Sequence, residues 1–395
     1  MSRKYSFEHQ PYARELEVEV LSVEETSGAW VAILDDTILY PEGGGQPSDS
    51  GRLNEAVVHR VQKAGDDLLH VLDAPVEPGQ AKLVVDWGRR YDHMQQHTAQ
   101  HILTRAALDR LNWVTRSFHI GPEVSDIELD CSPPERRKIE ALEDAVAEII
   151  VQARPIQGYR VSLEEYAALD VRSRGLPAGH EGDIRLVEIE DFDLNTCGGT
   201  HLASTSEVET VKVVGSEPLR GGCRLFWVAG KRVRNRLASH DDRMAHLRSL
   251  LDTGDAEIVP VLDSKLEQLQ QARRARRWLE GRLAESIARE VTSDSTRFVD
   301  LHLDGFEAGL LRPVAEELAK KGGQQVALLT AEGEAGILFA LVVGDESLLD
   351  LQAAGPAMAE ILSGRGGGAG KVFQGKAKSL DRRPDAVALI QQLLS

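Results

Sequence analysis

The sequence predicts an α+β protein: a small N-terminal β-barrel, a mixed α+β unit, a helical arm and a C-terminal α/β domain. Three observations carry this. Short apolar–polar alternations crowd residues 14 to 86, long stretches with helical apolar spacing alternate with extended segments up to about residue 232, and near residue 298 the pattern turns to strand, helix, strand.

The barrel is assigned to residues 1–88, where ELEVEVLSV, AWVAILDD, VVHRVQ, LLHVLD and AKLVVDW are punctuated by Gly, Pro and Asp. The α+β unit, residues 89–234, opens with a helix over Asp92–Asn112. A second helix spans Pro134–Arg154, and the extended runs RLVEIEDF, TSEVETVKVVGSEPL and CRLFWVAG follow. The arm, residues 235–296, is poor in Gly. Leu262, Leu266, Leu269, Trp278, Leu279 and Leu283 recur near heptad spacing, and Pro260 with the TGD turn at 253–255 divides it into a helical hairpin. The last domain, residues 297–395, reads RFVDLHL as strand, LRPVAEELAKKG as helix, QQVALLTAEGEAGILFALVVG as extended chain and 349–363 as helix. A Gly-rich stretch at 364–383 and a final helix close it.

The bulk numbers narrow the function. No run approaches the roughly 18 apolar residues of a membrane span, and MSRKYSFEHQ lacks the apolar run of a secretory signal, so a cytoplasmic protein without membrane association is expected. Cys131, Cys197 and Cys223 are too few and too scattered for a disulfide framework. A formal charge of −17 disfavours indiscriminate binding to phosphate backbones, so any contact with nucleic acid must be local.

His97 and His101, four apart on the first helix, face the same way about 6 Å apart along the axis, and His93 continues that face. Such a pair is ordinary on half-exposed helices. CGGTH at 197–201 supplies a second half-site, in which two glycines let Cys197 and His201 turn toward one point; alone it could be a glycine turn with a buried cysteine. Together the halves complete a four-ligand set of one thiolate and three imidazoles, which suits Zn2+. LYPEGGGQPSDSG at 39–51 places Gly43, Gly44 and Gly45 before Gln46, either as a loop that approaches a ligand closely or as a plain turn between strands. In TRSFHIG, Ser117 and His119 are candidates to orient a substrate carbonyl, against a surface-strand alternative. Arg273, Arg274, Arg276 and Arg277 form a basic run on the arm, as does the terminal stretch with Arg365, Lys371, Lys376 and Lys378. Each can meet phosphates or be a solvated face. Arg89, Arg90, Arg105, Arg110 and Arg116 offer a further docking edge.

In order, LYPEGGGQPSDSG, HTAQHIL, SFHIG and CGGTH resemble the editing half of alanyl-tRNA synthetases and the free-standing alanyl-tRNA editing proteins of the AlaX type. GRGGGAGKVFQGK resembles the end of the DHH-associated domain that closes the long AlaX proteins, so the likeness covers nearly the whole chain. It implies one Zn2+ held by His97, His101, Cys197 and His201, and substrate-side residues Gly43, Gly44, Gly45 and Gln46. It also implies a C-terminal domain that binds the outer corner of tRNA. With too little chain before residue 14 for an aminoacylation module, the expected activity is trans-editing: ATP-independent hydrolysis of Ser-tRNA(Ala) and Gly-tRNA(Ala).

Gln46 and Ser117 are the polar candidates for reading the serine hydroxyl. Four permanent ligands would close the site, so one histidine is expected to be displaceable, His201 first because it closes a glycine turn. The competing readings are a non-catalytic, structural-zinc protein that binds tRNA and a general zinc hydrolase of small esters. The arm and the apolar terminal helix ending QQLLS are compatible with a homodimer.

Overall fold

In the computed structural model the chain divides into two compact units, Met1–His246 and Leu247–Ser395. The structure describes residues 4–395 except 27, 66, 174, 177–181, 294–295 and 334–335.

The first unit begins with β1 (Glu15–Thr26), β2 (Ala29–Leu34), β3 (Gly51–Leu53), β4 (Ala56–Ala64), β5 (Asp67–Leu72) and β6 (Gly79–Val85). They close into a barrel in the order β1-β2-β5-β4-β3-β6. Alternation explains the closure: Val18, Val20, Leu34, Val58, Leu72 and Leu83 point inward and are at most 2% exposed, while the residues between them face out.

Asp86 caps α1 (Trp87–Leu111) by accepting from the Arg89 N–H, and Asn112 ends it in the left-handed conformation at φ 54°. The helix therefore starts a turn before the expected Asp92. Gly88 and the strand-like VVDW before it hide that turn in the sequence. Fifteen of its residues are buried, His93 to His101 without a break, which is why no polar stripe marks one face.

There follow β7 (Thr115–His119), β8 (Ser125–Leu129), α2 (Arg136–Val151), β9 (Ile156–Val161), α3 (Leu163–Ala168), β10 (Ile184–Ile189), β11 (Asp193–Thr196), β12 (Val211–Leu219) and β13 (Gly222–Ala229). They form an antiparallel sheet β12-β13-β8-β7 and a smaller one β11-β10-β9. Met94, Ile102, Leu103, Leu142, Val146, Leu225 and Trp227 join α1, α2 and the larger sheet in one core. Arg90, fully buried, ties α1 to the barrel by donating from Nε to Asp49 at 2.7 Å and from its other nitrogens to Asp49, Ile38 and Pro11. It is therefore a strut and not part of a docking edge. Arg105 and Arg110 are occupied by Asp109 and Glu148.

α4 (Lys231–Leu251) crosses the division between the units. The second unit holds α5 (Ile258–Ser293), β14 (Phe298–Asp304), α6 (Leu311–Lys321), β15 (Val326–Gly333), β16 (Gly336–Val343), α7 (Leu351–Ile361), β17 (Arg365–Ala369), β18 (Val372–Ala377) and α8 (Arg383–Leu394). The helix break falls at 252–257, and Pro260 sits in the first turn of α5, where its missing N–H costs no intrahelical bond. The sheet runs β14-β15-β16-β18-β17, with the first pair parallel and the others antiparallel. The Gly-rich stretch is thus an edge hairpin, in which Gly366, Gly367 and Gly368 pair with Gly375, Gln374 and Phe373. Arg365, Lys376 and Lys378 are exposed on it, whereas Lys371 reaches the Ala319 carbonyl. The four arginines at 273–277 are exposed along α5, Arg276 paired with Glu280 at 3.0 Å. Among the described residues no helix is long and apolar enough to cross a membrane.

Candidate metal and ester site

α1 carries His97 and His101 one turn apart, and the loop after β11 brings Cys197 and His201 to them. One ligand atom from each of the four lies within 4.8 Å of every other. Cys197 Sγ is 3.3 Å from Nε2 of both His97 and His201. These two rings are 4.4 Å apart, and those of His101 and His201 4.6 Å.

The outer nitrogen of each ring meets an oxygen. Gln46 Oε1 accepts from His97 Nδ1 at 2.7 Å and from the Thr200 N–H at 3.1 Å, while its Nε2 donates to Thr200 Oγ1. Asp193, held by both prongs of Arg172, stands 3.4 Å from His101 Nδ1. Thr98 Oγ1 lies 3.3 Å from His201 Nδ1 and accepts from the Leu202 N–H. The Gln46 oxygen fixes the Nδ1–H tautomer of His97, and the oxygens of Asp193 and Thr98 stand beside the Nδ1 atoms of His101 and His201, a placement compatible with Nε2 lone pairs directed inward as in metal-binding imidazoles.

Burial would raise the Cys197 thiol, but His97, His201 and His101 outweigh it and hold it well below its ordinary range, the state a metal ligand needs. Burial likewise lowers His201 to about 3, keeping it neutral. Burial opposes the Asp193 carboxylate, yet Arg172 and His101 hold it down at about 2. The donor set therefore fits a soft-to-borderline ion such as zinc, with ligands deprotonated and oriented.

The CGGTH loop is pinned. Arg185 donates to the carbonyls of Cys197 at 2.6 Å and Gly199 at 2.9 Å. A Cβ on buried Gly199 would enter the His97 ring and lie 2.8 Å from Gln46 Oε1, whereas at Gly198 it would meet nothing. The other glycine loop closes on itself through Gly43 and Gln46, with Gly44 and Gly45 at φ +57° and +82°; a Cβ on Gly45 would lie 2.6 Å from the Phe118 ring.

A cavity of about 330 Å³ opens on this cluster, lined by Gly44, Gln100, Thr104, Thr115, Phe118 and Asn195 among others. Of the four ligands, His101 and Cys197 border it. The expected looseness of His201 finds no support in this placement, because it lies behind Cys197 on a pinned loop. Gln46 is 1% exposed with both oxygen positions engaged, so it positions His97 and Thr200 and does not face an incoming hydroxyl. Strand parity separates the residues of SFHIG: Phe118 lies 5.6 Å from the His97 ring. Ser117 turns to Glu128, and His119, 65% exposed, turns to Asp126 at 3.6 Å. Thr98, Asp193, Arg172 and Arg185 were not expected from the sequence. Thr98 alone carried a signal, as a hydroxyl between two ligands in HTAQH. Cys131 and Cys223 meet at 3.3 Å through their sulfurs, as free thiols.

Comparison with known proteins places the chain. The domain described as "Threonyl and Alanyl tRNA synthetase second additional domain" matches residues 184–226, the segment that carries Asp193, Cys197 and His201. An alanyl-tRNA editing protein of Danio rerio is 34% identical over 382 residues, 96% of this chain and 92% of its own length. The alanine–tRNA ligase of Pyrococcus abyssi is 28% identical over 97% of this chain but only 43% of its own length. A solved C-Ala domain of Aquifex aeolicus alanyl-tRNA synthetase is similar over 25% of this chain and 90% of its own, at 25% identity and a TM-score of 0.23. At this identity over nearly its full length, the chain belongs to the alanyl-tRNA editing protein family.

Proposed function

We propose that the chain is a trans-editing deacylase that hydrolyses alanine tRNA mischarged with serine or glycine at a Zn2+ site and does not charge tRNA itself. The observation that carries this is the convergence of one thiolate and three imidazoles, of which His101 and Cys197 border a cavity, in a chain whose relatives are alanyl-tRNA editing proteins.

Water adds across the aminoacyl ester: the bond from the acyl carbon to the ribose oxygen breaks, releasing the amino acid and the tRNA hydroxyl. Zinc bound there supplies Lewis-acid polarisation of the ester carbonyl or a water of lowered pKa. His97, His101, Cys197 and His201 would hold the ion, with His101 and Cys197 bordering the cavity, and Gln46, Asp193 and Thr98 stand beside the outer ring nitrogens to orient them. Phe118 covers His97 and narrows access for bulk water. Gln100 and Thr104, bonded to each other at 2.7 Å on the wall, together with Thr115 and Asn195, provide hydrogen-bonding groups near the acyl portion, as rejection of a hydroxylated amino acid requires. Partnership with tRNA follows from the same reading.

Chelation followed by re-addition of metal tests it. Serine release from Ser-tRNA(Ala) stops on removal of the ion and returns with zinc. A protein that keeps full activity without metal refutes the zinc-site reading. The four-donor closure also favours a structural-zinc protein that binds tRNA without cleaving it. On that reading chelation unfolds the unit, and the loaded protein leaves the ester intact.

A further inference from the structure

A second cavity, of about 560 Å³, lies across the glycine loop and β7 from the metal cluster. Gly44 and Phe118 line the first cavity, whereas Pro47, His119 and Ile120 line this one, so the two share a thin wall. Its remaining lining is Pro122 together with the N-terminal parts of α1 and α4, including Arg89, Asp92, His93, Lys231 and Arg232. Arg232 is fully engaged, gripping Asp92 and the Gly121 carbonyl. Arg89 uses only Nε, on the Ser48 carbonyl at 3.0 Å. Among the described residues no protein partner meets the terminal nitrogens of Arg89 or the ammonium of Lys231. His93, 4% exposed, also lines this cavity, but its Nδ1 has the buried Asp49 carboxylate 4.0 Å away, so the uncommitted cations there are Arg89 and Lys231.

Uncommitted cations around a concavity lack an anion, and in a chain of net charge −17 such a place must be specific. Two long helices, of 25 and 21 residues, begin at its rim, but Asp86 caps the first and Gln95 accepts from the Lys231 N–H of the second, so the attraction for an anion comes from the side chains of Arg89 and Lys231. We propose that this cavity is an anion site that seats the phosphodiester backbone of the substrate's single-stranded RNA 3′ end while the ester enters the neighbouring cavity. This rests on the deacylase reading for the identity of the RNA. The consecutive strand residues Phe118 and His119 supply the register, one facing each cavity.

The test is fluorescence anisotropy of the full chain with a short labelled single-stranded RNA ending in CCA. Lys231→Ala and Arg89→Ala each weaken binding about five- to tenfold, and each lowers the slope of log affinity against log salt by about 0.7. Arg136→Ala, a change of equal charge at an exposed residue of α2, leaves both unchanged. Losses no larger than this control's, or an unaltered salt slope, overturn the proposal. Inorganic phosphate that displaces the RNA on equal terms, phosphate for phosphate, makes this a free-phosphate pocket and overturns the RNA assignment. Because Lys231 is exposed and donates no side-chain bond, its variant should melt with wild type; there KM for Ser-tRNA(Ala) rises while kcat holds. RNA binding that depends on these residues without any ester cleavage refutes the deacylase reading and keeps the anion site. Cleavage with KM and binding indifferent to both residues does the reverse.

Discussion

The two glycines of CGGTH should respond oppositely to one added methyl group. At Gly199 the new Cβ would overlap the His97 ring and lie 2.8 Å from Gln46 Oε1, and the ring cannot retreat because Gln46 and Phe118 stand on its other sides. Overpacking of this kind costs about 1–3 kcal/mol. A ring displaced by about 1 Å loses a bond whose ideal length is about 2.0 Å, so Gly199→Ala should weaken zinc binding at least tenfold and up to about a hundredfold. Gly198, exposed and with nothing within 4 Å of its Cβ position, should accept alanine for less than about 0.5 kcal/mol. Competition with a chromophoric chelator reads the affinities, and a thermal melt with metal present reads the fold. Equal affinities for the two variants would refute the packing argument, since they differ only in what the methyl group meets.

Asp193→Asn and Gln46→Leu, which alter the partners of His101 and His97, should each lower metal affinity about 10–100-fold in the same titration; wild-type affinity in both would remove their positioning role. Arg90→Met leaves the buried Asp49 carboxyl without its partner and should cost about 3–5 kcal/mol in denaturant unfolding; a loss under about 1 kcal/mol would show the strut to be dispensable. Burial lowers His70 from 6.5 to about 4, so the unfolded chain takes up its proton first as pH falls. Stability should drop by about 3 kcal/mol between pH 6.5 and 4, and His70→Leu should remove that part of the slope. An identical slope in the variant would count against it. Ser117→Ala and His119→Ala should leave zinc affinity within about twofold of wild type, because both side chains point away from the cluster.

What the sequence disclosed was the chemistry carried inside single segments. Alternation in the first 86 residues announces a barrel because one face must be buried, and HTAQH and CGGTH each hold two donors at a spacing their own backbone brings together. What stayed hidden depends on residues far apart in the chain. Gln46 reads as a loop amide until it is seen bonded to His97 and Thr200, 51 and 154 residues away. Arg90 looks like surface charge in RRYDH, and only the closed barrel supplies the buried Asp49 that makes it a strut. Parity decided Ser117 and His119: in SFHIG the inward residue is Phe118, and a bulge between Thr115 and Ser117 masks the register. The terminal glycines give no strand signal because composition does not reveal that β18 is there to pair with them.

Deacylation of serine-charged alanine tRNA under single-turnover conditions, by zinc-loaded wild type and by Cys197→Ala, is the most direct test, with alanine-charged tRNA as the reference. The ligand set leads us to expect rapid release of serine by wild type, little release of alanine, and a rate at least about a hundredfold lower in the variant alongside loss of its zinc. A metal-free Cys197→Ala protein that deacylates at the wild-type rate, or a zinc-loaded wild type that leaves the serine ester intact, would contradict it.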